Sequence, residues 1–242
     1  MAIQIYPSHE SLSLHVASEI AAQISSKRES VLCLAAGDTP RLAYRLLSDI
    51  VQKEMIDCSG LTFIGLDEWI GIPSDNPGSC SHFLHTHLFG PLGIKHSQVR
   101  LFDVTQPDLV RECTSMNEYV RSKGIDMMVV GVGMNGHIGF NEPGVREDLE
   151  AHVADLDDTT RAVGQKYFST HTTLSKGITL GLRQMLQSRR VILMASGQKK
   201  APIIRSALQG DISTDVPASL IRKHPNGRTI LDEDAASLLT II

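Results

Sequence analysis

The residues best suited to chemistry lie in one stretch, Gly131-Val-Gly-Met-Asn-Gly-His-Ile-Gly-Phe-Asn-Glu-Pro-Gly144, directly after the apolar run Ile125-Asp-Met-Met-Val-Val130. A strand-like run that breaks into glycines, a histidine and a glutamate makes a poor core. Glycine allows positive φ and lets backbone approach a ligand closely. His137 supplies a proton carrier that titrates near neutrality, and Glu142 a carboxylate on the same loop. An ordinary Gly-rich turn would use such polar groups only to satisfy its own backbone. Titratable groups on a strand-end loop are, however, where α/β proteins collect their chemistry.

Four other stretches carry candidate residues. Ala36-Gly-Asp-Thr-Pro-Arg41 reads as a strand–turn–helix start, with Thr39 as N-cap and Pro40 at the first helical position. Backbone N–H groups at Gly37, Asp38 and Thr39, together with the helix dipole, favour an anion there. No Gly-Lys-Ser/Thr follows, so this is not a nucleotide P-loop, and a monophosphate fits better. Helix capping alone would explain these residues, but Lys199 in Ser196-Gly-Gln-Lys199 adds a point charge for the same anion. Asp67 and Glu68 are adjacent, so on an extended chain one faces a crevice and the other turns away. A carboxylate at a buried strand end is desolvated and poised as a general base. Trp69 is read as a packing anchor. Ser81-His-Phe-Leu-His-Thr-His-Leu88 is read as an amphipathic helix burying Phe83, Leu84 and Leu88, with His82, His85 and His87 on its surface rather than on a metal.

Elements must exist to position these residues. Ser8 to Ile24 has helical spacing of Leu12, His15, Val16, Ile20 and Ile24, and Arg41 to Val51 continues from Pro40. The apolar runs Ser30–Ala36, Leu61–Leu66, Ile125–Val132, Arg190–Ala195 and Arg228–Leu231 read as strands, some buried on both faces. Met127 and Met128 belong to the core. Strands alternating with helices predict an α/β fold, a single domain over residues 1–242. Its sheet is mostly parallel and doubly wound (Rossmann-like), with helices on both faces. In such sheets ligands sit beyond the carboxyl ends of the strands, where Gly37–Thr39, Asp67-Glu68, the 131–144 loop and Ser196–Lys199 fall.

Composition narrows the function classes. The 242 residues are 42% hydrophobic and 21% charged, an ordinary globular balance. A net charge of −4 with no basic stripe argues against nucleic-acid binding. No apolar run reaches membrane-spanning length, and the start Met-Ala-Ile-Gln-Ile is unlike a signal peptide. Cys33, Cys58, Cys80 and Cys113 form no CxxC pair, so a reduced, cytoplasmic protein with free thiols is expected.

Leu66-Asp-Glu-Trp69 and the 131–143 stretch together resemble the amino-sugar-6-phosphate deaminase/isomerase family, which converts glucosamine or galactosamine 6-phosphate to a ketose 6-phosphate and ammonia. The likeness runs from Val31–Pro40 through Gly177-Ile-Thr-Leu-Gly-Leu182 to Pro217-Ala-Ser219. It implies that Asp67 moves the proton between C2 and C1, that His137 opens the sugar ring, and that Glu142 orients and tunes His137. Gly37, Asp38 and Thr39 with Lys199 would cradle the phosphate. Lys166 stands where glucosamine members often carry a phosphate-binding arginine, and loses its bidentate geometry. Asn135 replaces a common aspartate; its amide can orient His137 without adding charge. Trp69 and Pro77-Gly-Ser-Cys80 are nearer to the galactosamine branch, so the resemblance implies galactosamine 6-phosphate as the favoured substrate, with glucosamine 6-phosphate next. No metal, nucleotide or redox cofactor is implied.

Two rival readings share these residues. A 6-phosphogluconolactonase would be expected to carry an Asp-Gly-His-Thr-type loop without Asn141-Glu-Pro143. A non-catalytic sugar-phosphate regulator should have lost Asp67 or His137. A homo-oligomer is possible. Some glucosamine members are activated by an N-acetylated sugar phosphate held by cations just beyond this loop. Here Gly144–Asp155 offers Arg146 against Glu147, Asp148, Glu150 and Asp155, with His152 and Ala154 where cations are expected.

Overall fold

The computed structural model describes residues 2–240. Its elements run β1 (Ala2–Tyr6), α1 (His9–Ser26), β2 (Val31–Leu34), α2 (Asp38–Glu54), β3 (Thr62–Ile64) and β4 (Asp67–Trp69). The middle of the chain forms α3 (Cys80–Leu84), β5 (Val99–Arg100), α4 (Leu109–Lys123), β6 (Met127–Val130), β7 (His152–Asp155) and α5 (Asp158–Gly164). The rest forms β8 (Lys176–Thr179), α6 (Leu182–Gln187), β9 (Val191–Ala195), α7 (Ala201–Gln209), β10 (Gly227–Asp232) and α8 (Glu233–Ala236).

Seven strands make one parallel sheet in the order β1-β10-β9-β6-β2-β3-β5. β2 shows why it is buried on both faces. Val31 and Cys33 pack into one apolar layer with α4, α6 and α7, while Leu32 and Leu34 pack into another with α1 and α2. Helices therefore cover both faces, as the alternating pattern predicts. The predicted strand cores all form. β1 and β5, too short or too exposed to stand out in sequence, join at the edges. Strand order reverses between β2 and β6: one run proceeds from β2 to β3 and β5, the other from β6 to β9 and β10. The two loops richest in candidate residues follow β2 and β6 and so flank this switch point, where α/β sheets open a crevice.

A second sheet, β4-β8-β7, is antiparallel and has no counterpart in the sequence reading. It holds Asp67 and Glu68, expected at the end of the preceding strand, in a separate strand, with Asp67 opposite Thr179. Among the described residues no helix is long and apolar enough to cross a membrane.

Candidate active site

His137 is fixed from three sides. Its ring lies against Gly133, where an added Cβ would fall 2.4 Å from the imidazole, so only glycine leaves room for it. Its Nδ1 sits 2.9 Å from Thr160 Oγ1 and 3.4 Å from Glu142 Oε2. Its backbone N–H donates to Asn135 Oδ1 at 3.2 Å, and Asn135 Nδ2 donates to Glu142 Oε2 at 2.8 Å. Asn135 thus positions His137 through the main chain and through Glu142, not by touching the ring. Burial pushes the Glu142 carboxyl up. The hydrogen bond and charge of His137, with Thr160 and Asn135, outweigh burial and hold it below the usual range. An ionised Glu142 behind Nδ1 stabilises an imidazolium. Thr160, on α5, is absent from the sequence reading. Nothing in its local sequence marks it, because the contact spans 23 positions.

Asp67 and Glu68 divide as alternation requires. Glu68 is buried and accepts from the N–H groups of Trp69 (2.9 Å), Cys80 (2.9 Å) and Ser81 (2.8 Å), tying β4 to the start of α3. Asp67 turns into the crevice beside the histidine loop; its Oδ2 is 3.5 Å from where a Cβ on Gly139 would stand. Burial, then the neighbouring Glu68, push its carboxyl up to about 7, against a lowering hydrogen bond from Cys80. A carboxylate in that range both accepts and returns a proton near neutral pH. Thr179 holds the two parts in register: its Oγ1 accepts from Phe140 N at 3.2 Å and lies 3.3 Å from Leu66 O. Asn141 Nδ2 donates to Ile138 O and Leu180 O, both at 2.8 Å, pinning the loop to the end of β8.

The anion-binding candidates need three corrections. α2 starts two residues earlier than expected: Gly37, not Thr39, is the N-cap, at φ +130, which glycine alone adopts easily. No side chain caps the helix, so its first N–H groups remain for a ligand, and Gly37, Asp38 and Thr39 line the cavity. Second, Lys199 is exposed and Lys200 lines the cavity instead. Gln198–Lys200 is a 3-10 turn, in which neighbouring side chains point about 120° apart, so only one of the two lysines faces inward. Burial, then nearby Lys166, lower the Lys200 ammonium to about 8, and its Nζ donates to Val132 O at 2.6 Å. Third, the Asp38 side chain does not lie free for a ligand. It pairs with Arg41 and with Lys166, each at 2.8 Å.

The cavity encloses about 550 Å³. Trp69, buried against Phe140 at 4.5 Å between ring centroids, and Tyr167 form part of its apolar wall. Trp69 is the expected packing anchor and touches the cavity as well. Phe83, Leu84 and Leu88 are buried as expected, but His82 and His87 line the cavity instead of facing solvent only. The α3 helix is short and runs on as a π-helical turn at His85–Phe89, which displaces the spacing expected of a regular helix. Among the described residues no group of three or more His, Cys, Asp or Glu could hold a metal ion.

A family model described as glucosamine-6-phosphate isomerases/6-phosphogluconolactonase matches residues 8–231. A glucosamine-6-phosphate deaminase of Clostridium acetobutylicum is 35% identical over 233 residues, covering 96% of this chain and 97% of that one. One from Halothermothrix orenii is 36% identical over 241 residues, covering 99% and 100%. Among solved structures, a monomeric glucosamine-6-phosphate deaminase of the NagB superfamily aligns with a TM-score of 0.96 at 35% identity, covering 99% of this chain and all of that one. A 6-phosphogluconolactonase from Trypanosoma brucei shares the fold, with a TM-score of 0.76 at 19% identity over 99% of this chain and 98% of that one.

Proposed function

The chain belongs to the glucosamine-6-phosphate isomerase/6-phosphogluconolactonase family and is an enzyme of the amino-sugar-6-phosphate deaminase/isomerase type; from that premise we propose that it converts glucosamine 6-phosphate to the ketose 6-phosphate and ammonia, with Asp67 and His137 as its catalytic residues. The observation that carries this reading is that a carboxylate raised to about 7 and a carboxylate-backed imidazole line one cavity.

The phosphate rests on the uncapped start of α2, on the Thr39 hydroxyl and on Lys200, with Lys166 beside them. Lys200 spends one N–H on Val132 and keeps the others for the anion. His137 passes a proton between the anomeric hydroxyl and the ring oxygen, opening the hemiacetal to the aldehyde. Ionised Glu142 stabilises the imidazolium formed on the way. Asp67 then takes the hydrogen of C2, leaving an enolamine, and returns it to C1. The resulting C2 iminium adds water and releases ammonia. No step calls on a metal or redox cofactor.

Glucosamine is favoured over galactosamine on the names of the relatives and on the use the fold makes of residues 77–80. Ser79 Oγ accepts from His82 N at 2.9 Å and lies 3.2 Å from Ser74 O, and Cys80 N is committed to Glu68. These residues hold the cavity wall and leave no hydroxyl to read an axial C4 oxygen. Parallel assays of ammonia release from both epimers, with 6-phosphogluconolactone hydrolysis as a third arm, test the proposal. Faster turnover of glucosamine 6-phosphate supports it; a galactosamine preference reverses the epimer assignment. Lactone hydrolysis without ammonia release from either epimer would overturn the whole reading.

A further inference from the structure

We propose that the Asp38 carboxylate is an internal counter-anion of the phosphate cradle, which substrate must displace from Lys166 and which weakens the enzyme's affinity for dianionic phosphate esters. The inference rests on the placement of the phosphate at the start of α2.

A helix N-terminus with no side-chain cap, together with Arg41, Lys166 and Lys200, concentrates positive charge in one corner of the cavity. Something negative stabilises such a corner while it is empty. Asp38 is the first residue of α2 and supplies that charge, with Oδ1 2.8 Å from Arg41 and Oδ2 2.8 Å from Lys166. Lys166 is further fixed over the Tyr167 ring, 4.8 Å from its centroid, so it does not need a ligand to be ordered. When a phosphate enters, the same backbone N–H groups and Lys166 must serve it. Asp38 then stands as a like charge beside a dianion, and its pair with Lys166 is lost. The residue therefore favours the empty site and opposes the filled one.

Removing this charge isolates the effect, Asn keeping the size and Ser shortening the side chain. Asp38→Asn and Asp38→Ser should each lower KM for the hexosamine 6-phosphate, and Ki for inorganic phosphate as a competitive inhibitor, by roughly three- to tenfold. That is the scale of one or two exposed ion pairs. Both variants should also melt below the wild type in phosphate-free buffer and gain more in Tm on addition of inorganic phosphate. Lys200→Met serves as the reference, because it should raise both constants if the phosphate lies where proposed. A rise or no change in Ki for both Asp38 variants, with the expected rise in Lys200→Met, overturns the counter-anion role alone. No change in Lys200→Met overturns the phosphate placement and the inference with it.

Discussion

Asp67, the proposed base, shows how a residue can be costly to the fold and yet suited to a reaction. Its carboxyl is raised to about 7 by burial and by Glu68, against an unfolded value near 4. A raised carboxyl contributes most to stability while protonated in the folded state. That contribution is complete below pH ~4 and declines as pH rises to about 7, where the folded group ionises. Asp67→Asn, neutral throughout, should therefore gain Tm over the wild type between those limits and keep a constant lead above pH 7. Melting curves from pH 4 to 9 check this. The same ionisation should appear in kcat/KM, which reports the free enzyme. Activity should rise through pH ~7 as Asp67 becomes a base and fall above ~8 as Lys200 loses its proton. Lys200→Arg should move only the alkaline limb, beyond the measurable range. Among these residues the sequence exposes Asp67, His137 and Glu142 by type and spacing. It does not expose Thr160, whose hydroxyl meets His137 from a distant helix, nor the choice between Lys199 and Lys200, which turns on the phase of a single 3-10 turn.

Elements position the two groups proposed as catalytic from different sheets, and the join between them is where the structure is most exposed to damage. His137 follows β6 of the parallel sheet, while Asp67 lies on β4 of the small antiparallel one. Asn141 and Thr179 make the join. Asn141→Leu keeps the volume but removes one donor from each of two carbonyls, Ile138 O, which keeps the Asn141 N–H, and Leu180 O, which keeps the Thr179 hydroxyl. Each hydrogen bond lost costs about 0.5–1.5 kcal/mol, so the variant should lose roughly 1–3 kcal/mol of stability by urea unfolding. It should also lose kcat where it remains folded, because the loop carrying His137 shifts against Asp67. The buried strands of the large sheet are legible as continuous apolar runs. The small sheet is not: β4, β7 and β8 are three or four residues each, and His152–Asp155 lies only half-buried, so neither length nor alternation betrays it. The early start of α2 is hidden for a different reason: Thr39-Pro40 is a credible cap and N1 pair, and only the positive φ of Gly37 decides otherwise.

At the scale of the molecule, the region beyond the histidine loop bears on regulation. Arg146 is paired with Asp148 at 2.6 Å, Glu147 is held by Lys223 at 2.6 Å, and Glu150 by Arg121. Burial pushes the His152 imidazole down, which disfavours its charged form as a partner for a phosphate. A dianionic effector would meet no free cation in this segment. Substrate saturation should therefore be hyperbolic, with no activation by N-acetylglucosamine 6-phosphate, as titrations with and without saturating effector will show. The doubly wound sheet is readable from sequence because its order depends on alternation of helix and strand. The switch point that gathers β2 and β6 loops into one cavity is a property of topology, which periodicity does not carry.

Turnover of glucosamine 6-phosphate in D2O, followed by NMR alongside an ammonia assay, tests the central claim most directly. The wild type should release ammonia and ketose 6-phosphate in equal amounts, with the hydrogen newly placed at C1 drawn from C2 or exchanged with solvent through Asp67. Asp67→Asn should lose about 10²–10⁴-fold in rate, the scale of a lost general base. Near-wild-type turnover in Asp67→Asn, or ammonia released without formation of the ketose 6-phosphate, would contradict it.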